Sequence, residues 1–251
     1  MTTIKTVWIT GASSGLGLAT AKAFAGRGWL VVAGARSFAD GAAPEEEKAE
    51  HWVRLRLDVT DGESCAHFVR RALEISPRVD ALVCGAAVLV LGSCEKTGAD
   101  EYNRVLDTNF TGAARMVGLA LPYMRRGGVV LNTCSISSFA PNPRMTVYSA
   151  SKAFMFHFSK SLRYELKPRG INVCAVCPGP METDFLDVAD IPGNSKAFAT
   201  LPYCDPAAVA GRALEYARAG RGVYTPRLFY KFYRLLAKVL PHGLLMPLTK
   251  T

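Results

Sequence analysis

Short, almost wholly apolar runs alternate along this chain with longer stretches in which apolar positions recur every three or four residues. The runs fall at 6–10, 30–35, 53–57, 81–85, 129–133, 172–177 and 223–225 and are rich in Val, Ile, Leu and Cys. The longer stretches fall at 15–28, 62–75, 100–126, 147–167 and 206–219. A continuous apolar run suits a strand buried on both faces, whereas the wider spacing suits a helix with one buried side. Seven such strands separated by helices predict an α/β fold: a doubly wound, seven-stranded parallel sheet with helices on both faces. Ligands of such sheets bind beyond the carboxyl ends of the strands, so the residues that follow each strand are the ones to inspect.

At 251 residues and 49% hydrophobic content the chain can bury one large core, and residues 1–251 read as a single domain. The acidic stretch 37–50 reads as a solvated loop within it. The start runs from Met1 into Thr6-Val7-Trp8-Ile9 without an apolar signal region, and no apolar stretch is long enough to span a bilayer. Seven cysteines, odd in number and mostly within apolar runs, suit buried thiols in a reducing compartment, so the expected location is cytoplasmic. Cys174 and Cys177 have the spacing of a redox pair, but on a strand they point to opposite faces and read as two core thiols. The four histidines lack ligand spacing, and no metal is expected. The net charge of +9 is uneven: from Pro206 onward eight Lys or Arg stand against Glu215 alone. No nucleic-acid motif accompanies this charge, and no nucleic-acid partner is expected.

Two constellations carry chemistry. After the first strand the chain reads Thr10-Gly11-Ala12-Ser13-Ser14-Gly15-Leu16-Gly17 and enters a helix. Glycines there allow positive φ and let a pyrophosphate approach the backbone, and the helix amino terminus offers free N–H groups to phosphate. The second is Tyr148-Ser149-Ala150-Ser151-Lys152, with Ser135 thirteen residues upstream. Residues four apart on a helix share a face, and an ammonium near a phenol lowers its pKa.

These motifs, in this order, make the chain resemble the short-chain dehydrogenase/reductase family in its short single-domain branch, from the amino terminus to about Thr225. The resemblance implies a Rossmann-type fold and hydride transfer between a nicotinamide cofactor and a carbonyl or alcohol. Tyr148 would exchange the proton, Lys152 would hold the nicotinamide ribose and tune Tyr148, and Ser135 (ahead of Ser138) would bond the substrate oxygen. Asn109 would hold a water linking Lys152 to solvent. Gly11, Ser13, Ser14, Gly15, Leu16 and Gly17 would hold the pyrophosphate end, Asp58-Val59 the adenine, and Gly85, Pro178, Gly179 and Thr183 the nicotinamide end. No acid closes the second strand and Arg36 follows it, which favours NADP(H), with NAD(H) as the alternative. One departure stands out: Cys84-Gly85-Ala86-Ala87 replaces the family's Asn-Asn-Ala-Gly, at an expected cost in stability or cofactor affinity.

The substrate cover is expected at 181–205, with Phe185, Leu186, Val188, Ile191, Phe198, Leu201 and Tyr203. Val88 to Leu91 and Phe139 would add apolar wall. Such a pocket suits a lipophilic ketone, aldehyde or alcohol. Residues 226–251 form a basic amphipathic segment, read first as packing on the protein and second as meeting a membrane surface, which would make the protein peripheral there. The 100–126 and 147–167 helices carry apolar residues on several faces, and since such helices form the dimer seam in the family the chain resembles, the resemblance implies a homodimer or homotetramer. The alternatives to an oxidoreductase are an NADP(H)-binding sensor or scaffold without turnover, and a membrane-surface protein acting through its tail.

Overall fold

The computed structural model describes residues 4–39, 41–42, 51–183, 185 and 200–249. In chain order these build β1 (Thr6–Thr10), α1 (Gly15–Ala25), β2 (Leu30–Ala35), β3 (Gly41–Ala42), β4 (Trp52–Arg56), α2 (Gly62–Ile75) and β5 (Val79–Cys84). There follow α3 (Ala99–Leu106), α4 (Gly112–Ala120), β6 (Met124–Thr133), α5 (Thr146–Leu166), β7 (Asn172–Val176), α6 (Pro206–Arg218), β8 (Val223–Tyr224), α7 (Leu228–Val239) and α8 (His242–Thr249). The strands form one sheet in the order β3-β4-β2-β1-β5-β6-β7-β8. Its seven parallel strands are those the apolar runs predict. The eighth, β3, is a two-residue strand antiparallel to β4 at the sheet edge, too short to leave a sequence signal.

Both faces of the sheet are covered, which explains the continuous apolar runs. On β1, Trp8 faces a core completed by α2, α4 and α5, while Val7 and Ile9 face a second core completed by α1 and α6. Cys177 belongs to the first core and Cys174 to the second, as alternation along a strand requires. The strand order turns back at β1, with β2 on one side and β5 on the other. That reversal opens a crevice beyond the carboxyl ends of β1 and β5.

The sequence places one helix over 100–126; the chain instead makes α3, a π-helical turn (Asp107–Thr111), α4 and a 3-10 turn (Leu121–Tyr123). The break is tertiary in origin, because Asn109 reaches from the π turn to the backbone of Val88. The last residues of the expected helix belong to β6, which starts at Met124 and includes Gly127 at φ 85°. At the other end of the chain, α7 turns back and lies over the carboxyl end of the sheet, seated by Tyr230 and Ala237. Among the described residues no helix is long and apolar enough to cross a membrane.

Candidate active site

The crevice opens into a cavity of about 740 Å³. Gly11, Ser13, Ser14, Gly15, Leu16 and Gly17 line one end with Arg36, Asp58 and Val59, and Gly85 lies between β1 and β5. Ser135, Tyr148, Lys152, Pro178, Gly179 and Thr183 line the other end. Every residue expected at the site therefore borders this one space, apart from Asn109.

At the glycine end the backbone is packed too closely for side chains. Gly11 has φ 68°, and a Cβ there would lie 2.6 Å from the Cα and N of Ala86. A Cβ on Gly17 would lie 2.0 Å from the carbonyl oxygen of Gly11. Thr10 Oγ1 ties the two loops together by accepting from the N–H groups of Gly85 (3.1 Å) and Ala86 (3.2 Å). Asp61 and Asp205 accept amides at the starts of α2 and α6, but Ser14 makes no side-chain cap on α1 and no acid lies in its first turn. Uncapped N–H groups and the partial positive charge of the helix end thus border the cavity, an arrangement that fits a pyrophosphate.

Arg36 is exposed at the rim. Asp58 Oδ1 accepts from the N–H and hydroxyl of Thr60 (3.0 and 2.7 Å), and its own N–H donates to Ser64 Oγ (2.9 Å). Val59 packs so tightly on Gly112 that a Cβ there would lie 2.7 Å from Val59 Cγ2. Thr183 lies opposite the glycine turn, 3.7 Å from where a Cβ on Gly15 would be.

At the catalytic end, α5 presents Tyr148 and Lys152 on one face, with the ammonium 5.6 Å from the centre of the phenol ring. Lys152 Nζ donates to the carbonyl of Thr133 at 2.9 Å, leaving two donors for a ligand. Burial lowers the pKa of Lys152 to about 8, an effect countered in part by the thiols of Cys134 and Cys177. Burial also pushes the Tyr148 phenol up, and its hydrogen bond with Ser135 offsets only part of this. This direction differs from the lowered phenol pKa expected from the neighbouring ammonium: desolvation sets it, and the opposing influence comes from Ser135.

Ser135 begins a short 3-10 turn (Ile136–Ser138). Its Oγ accepts from Ser137 N (3.1 Å), and Ser138 Oγ accepts from Ser135 N (3.3 Å). Ser138 is thereby committed to holding the turn, while Ser135 borders the cavity. Asn109 is 2% exposed. It accepts from Val88 N (2.7 Å) and donates to Val88 O (2.9 Å) and Ser151 Oγ (3.1 Å). Both its donors are spent on fixing the loop after β5 to α5. Cys84, at the departure from the family motif, is buried, and its thiol donates to the carbonyl of Ala113 at 3.7 Å. The neighbouring Ala87 borders the cavity.

The apolar wall comes partly from where the sequence suggests and partly from the tail. Leu89, Met145 and Tyr148 form a small core with Leu91, Phe185 and Tyr203. Leu201 and Phe185 line the cavity, whereas Leu186, Val188, Ile191 and Phe198 lie outside the described residues. Phe139 is not part of the wall; it stacks against Phe156 and Tyr233 beneath α7. The 226–251 segment, which the sequence reads first as packing on the protein, closes the space with Phe229, Tyr230, Phe232, Tyr233 and Leu236 of α7 and Leu245 of α8. Tyr230 is the keystone. Its hydroxyl donates to Pro202 O at 2.7 Å, and its ring lies so close to Gly179 that a Cβ there would be 2.3 Å away.

Comparison with known proteins agrees with this geometry. A 3-ketodihydrosphingosine reductase of Bacteroides thetaiotaomicron is 33% identical over 199 residues, covering 77% of this chain and 71% of that protein. An alcohol dehydrogenase from the archaeon Thermococcus sibiricus, solved with 5-hydroxy-NADP, superposes with a TM-score of 0.76 at 26% identity over 91% of this chain and 98% of that one. The fold also matches a short chain dehydrogenase/reductase from Burkholderia phymatum, solved with NAD, with a TM-score of 0.81 at 21% identity over 93% of this chain and 92% of that one. The sequence profile of the short chain dehydrogenases spans residues 5–190. With both motifs brought to one cavity and that profile covering most of its length, the chain belongs to the short chain dehydrogenase family of oxidoreductases, which act on hydroxyl and carbonyl groups.

Proposed function

We propose that this protein is an NADP(H)-dependent oxidoreductase that interconverts a lipophilic ketone or aldehyde and its alcohol. The observation that carries the reading is the continuity of the cavity, from an uncapped helix end and Arg36 to a buried Tyr148 under an apolar wall.

A bound nicotinamide supplies the hydride in reduction and takes it back in oxidation. The protein's own part begins with Tyr148, which gives its phenolic proton to the carbonyl oxygen. Burial favours the protonated phenol, the form this step needs. Ser135 holds the same oxygen: its Oγ accepts from Ser137 N, and its hydroxyl, which bonds Tyr148 in the protein alone, is the donor that turns to that oxygen. Lys152, anchored on Thr133 O, turns its remaining donors to the ribose hydroxyls. Asn109 acts as a positioning residue through Val88 and Ser151, and a water on its main chain would return protons to Lys152. Thr183 and the Pro178-Gly179 turn orient the carboxamide, and Asp58 and Val59 border the adenine.

Preference for NADP(H) rests on Arg36, whose guanidinium suits a 2′-phosphate, and on the absence of an acid at the end of β2. The lipophilic substrate rests on the side chains of Leu89, Met145, Phe185, Leu201, Phe232 and Leu236, and on the name of the Bacteroides relative. We read residues 1–251 as one dinucleotide-binding catalytic domain in the cytoplasm, with 181–205 as substrate cover. Exposed Phe154 and Tyr164 on α5 and Leu106 on α3 are the proposed seam of a homodimer or homotetramer.

The test is oxidation of NADPH and of NADH over a panel of lipophilic ketones and aldehydes, with Tyr148→Phe alongside. Turnover with NADPH that falls by about 100-fold or more in the variant is expected. Tight NADPH binding with no turnover on any carbonyl would overturn the reading in favour of a cofactor-binding protein.

A further inference from the structure

Helix α7 has two apolar faces, and only one of them is seated. Tyr230 and Ala237 are 0% and 9% exposed against the protein body. Nearly opposite them, since each residue turns the helix by about 100°, Leu228, Phe232, Leu235 and Val239 follow one another at i, i+4, i+7 and i+11. These four are 81%, 60%, 58% and 71% exposed. A face turned only to water would be polar here; a row of large side chains marks a contact surface. Leu244 of α8 is a further large apolar side chain at 64% exposure.

Two features say what covers it. Lys231, Arg234 and Lys238 run along one flank of the row and border a shallow depression of about 220 Å³. Residues 219–251 contain no Asp or Glu, so no acidic side chain of the tail opposes an anionic surface. On the other flank are Phe229 and Leu236, which line the main cavity, while Phe232 belongs to both the cavity and the exposed row. A second copy packed with its α7 antiparallel about a two-fold axis would bring this cationic flank up against itself, which disfavours it. No described helix can span a bilayer, so the geometry is that of a helix lying in an interface.

We propose that α7 and the start of α8 seat this protein on an anionic bilayer surface with the cavity mouth at the lipid, so that its carbonyl substrate enters from the membrane. The substrate part of this inference rests on the function proposed above; the docking part does not. Basic side chains meet the lipid phosphates, the apolar row enters the acyl boundary, and Phe232 forms the threshold between bilayer and cavity.

The experiment is co-sedimentation of the full chain with phosphatidylcholine vesicles and with phosphatidylcholine/phosphatidylserine vesicles. Deleting the tail would also remove the wall formed by Tyr230, so point substitutions are the cleaner probe. Wild type is expected to pellet with the anionic vesicles and only weakly with the neutral ones. Leu228→Ser/Leu235→Ser/Val239→Ser should weaken that binding at least about tenfold, and Lys231→Gln/Lys238→Gln by about 25-fold. The triple variant should keep wild-type turnover of a short water-soluble ketone and lose its advantage on a ketone embedded in vesicles. Thermal melts check that both variants fold. Absence of wild-type binding to anionic vesicles, or undiminished binding by the folded variants, would overturn the proposal. So would a dimer in light scattering that the triple substitution dissociates without any vesicle binding. Vesicle binding without turnover of any carbonyl would sink the proposed activity and leave the docking surface standing; turnover without vesicle binding would do the reverse.

Discussion

Replacing Lys152 by Met measures what the buried ammonium at the centre of the site costs. Lys152 is 2% exposed, and burial lowers its pKa from 10.5 to about 8. Unfolding returns the side chain to water and to its ordinary range. Between those two values the folded protein holds fewer protons than the unfolded chain, so stability rises with pH across that window. Below about pH 8 both states are charged and the penalty is fully present; near pH 10.5 it has largely gone. The whole shift is worth about 3 kcal/mol, of which about 2 kcal/mol is recovered between about pH 8 and pH 10. Tyr148 works in the opposite direction, but only above about pH 10, because its raised pKa leaves the folded state holding a proton that the unfolded chain releases. Met lacks the titrating group. The difference in unfolding free energy, wild type minus Lys152→Met, should therefore grow by about 2 kcal/mol over that interval, measured by urea titration of the cofactor-free protein. A difference that stays flat or shrinks with pH would refute the argument that desolvation dominates at Lys152.

Three other substitutions probe separate parts of the site. Gly179→Ala drives a methyl group into the Tyr230 ring, which its bond to Pro202 O holds in place. It should cost about 1–3 kcal/mol in wild type and almost nothing in a Tyr230→Leu background, and equal costs in both would dismiss the contact. Arg36→Ala should raise the KM for NADPH by about 10- to 100-fold while leaving NADH nearly unchanged; a parallel change in both cofactors would remove Arg36 from the phosphate site. Asn109→Ala strips partners from Val88 N, Val88 O and Ser151 Oγ, and should cost at least about 2 kcal/mol in urea unfolding.

The parts of the fold legible in the sequence are those fixed by local periodicity and by backbone geometry. Val7, Trp8 and Ile9 announce a strand buried on both faces because each must find an apolar partner. The glycines at 11, 15 and 17 announce a turn because Gly11 and Gly15 take positive φ and side chains at Gly11 and Gly17 would collide with backbone. Tyr148 and Lys152 are legible because helical spacing alone sets them on one face. The π turn at Asp107–Thr111 left no such trace. Its residues are weak helix formers, but that weakness does not specify a π turn, and what widens the turn is the bond from Asn109 to Val88, twenty-one residues away. The same holds for Ser135 and Ser138: spacing admits both, and only the folded turn commits Ser138 to the Ser135 amide.

The tail is the sharper case: the sequence favours its packing on the protein but does not say which face packs. Apolar residues surround much of α7, and a wheel drawn from sequence shows two apolar arcs with a basic stripe between them. Nothing local decides which arc meets the protein. The decision is made by two distant partners: Gly179, whose missing side chain leaves room for the Tyr230 ring, and Pro202, whose carbonyl takes the Tyr230 hydroxyl. Once Tyr230 is seated, the other positions follow from helical geometry: Phe229, Phe232 and Leu236 are turned to the cavity, and Leu228, Leu235 and Val239 to the outside. The lipophilic cavity and the unpartnered outer face are thus set by one rotation of one helix. A change that turns α7 about its axis should alter substrate binding and surface attachment together, whereas changes confined to the outer row should alter attachment alone.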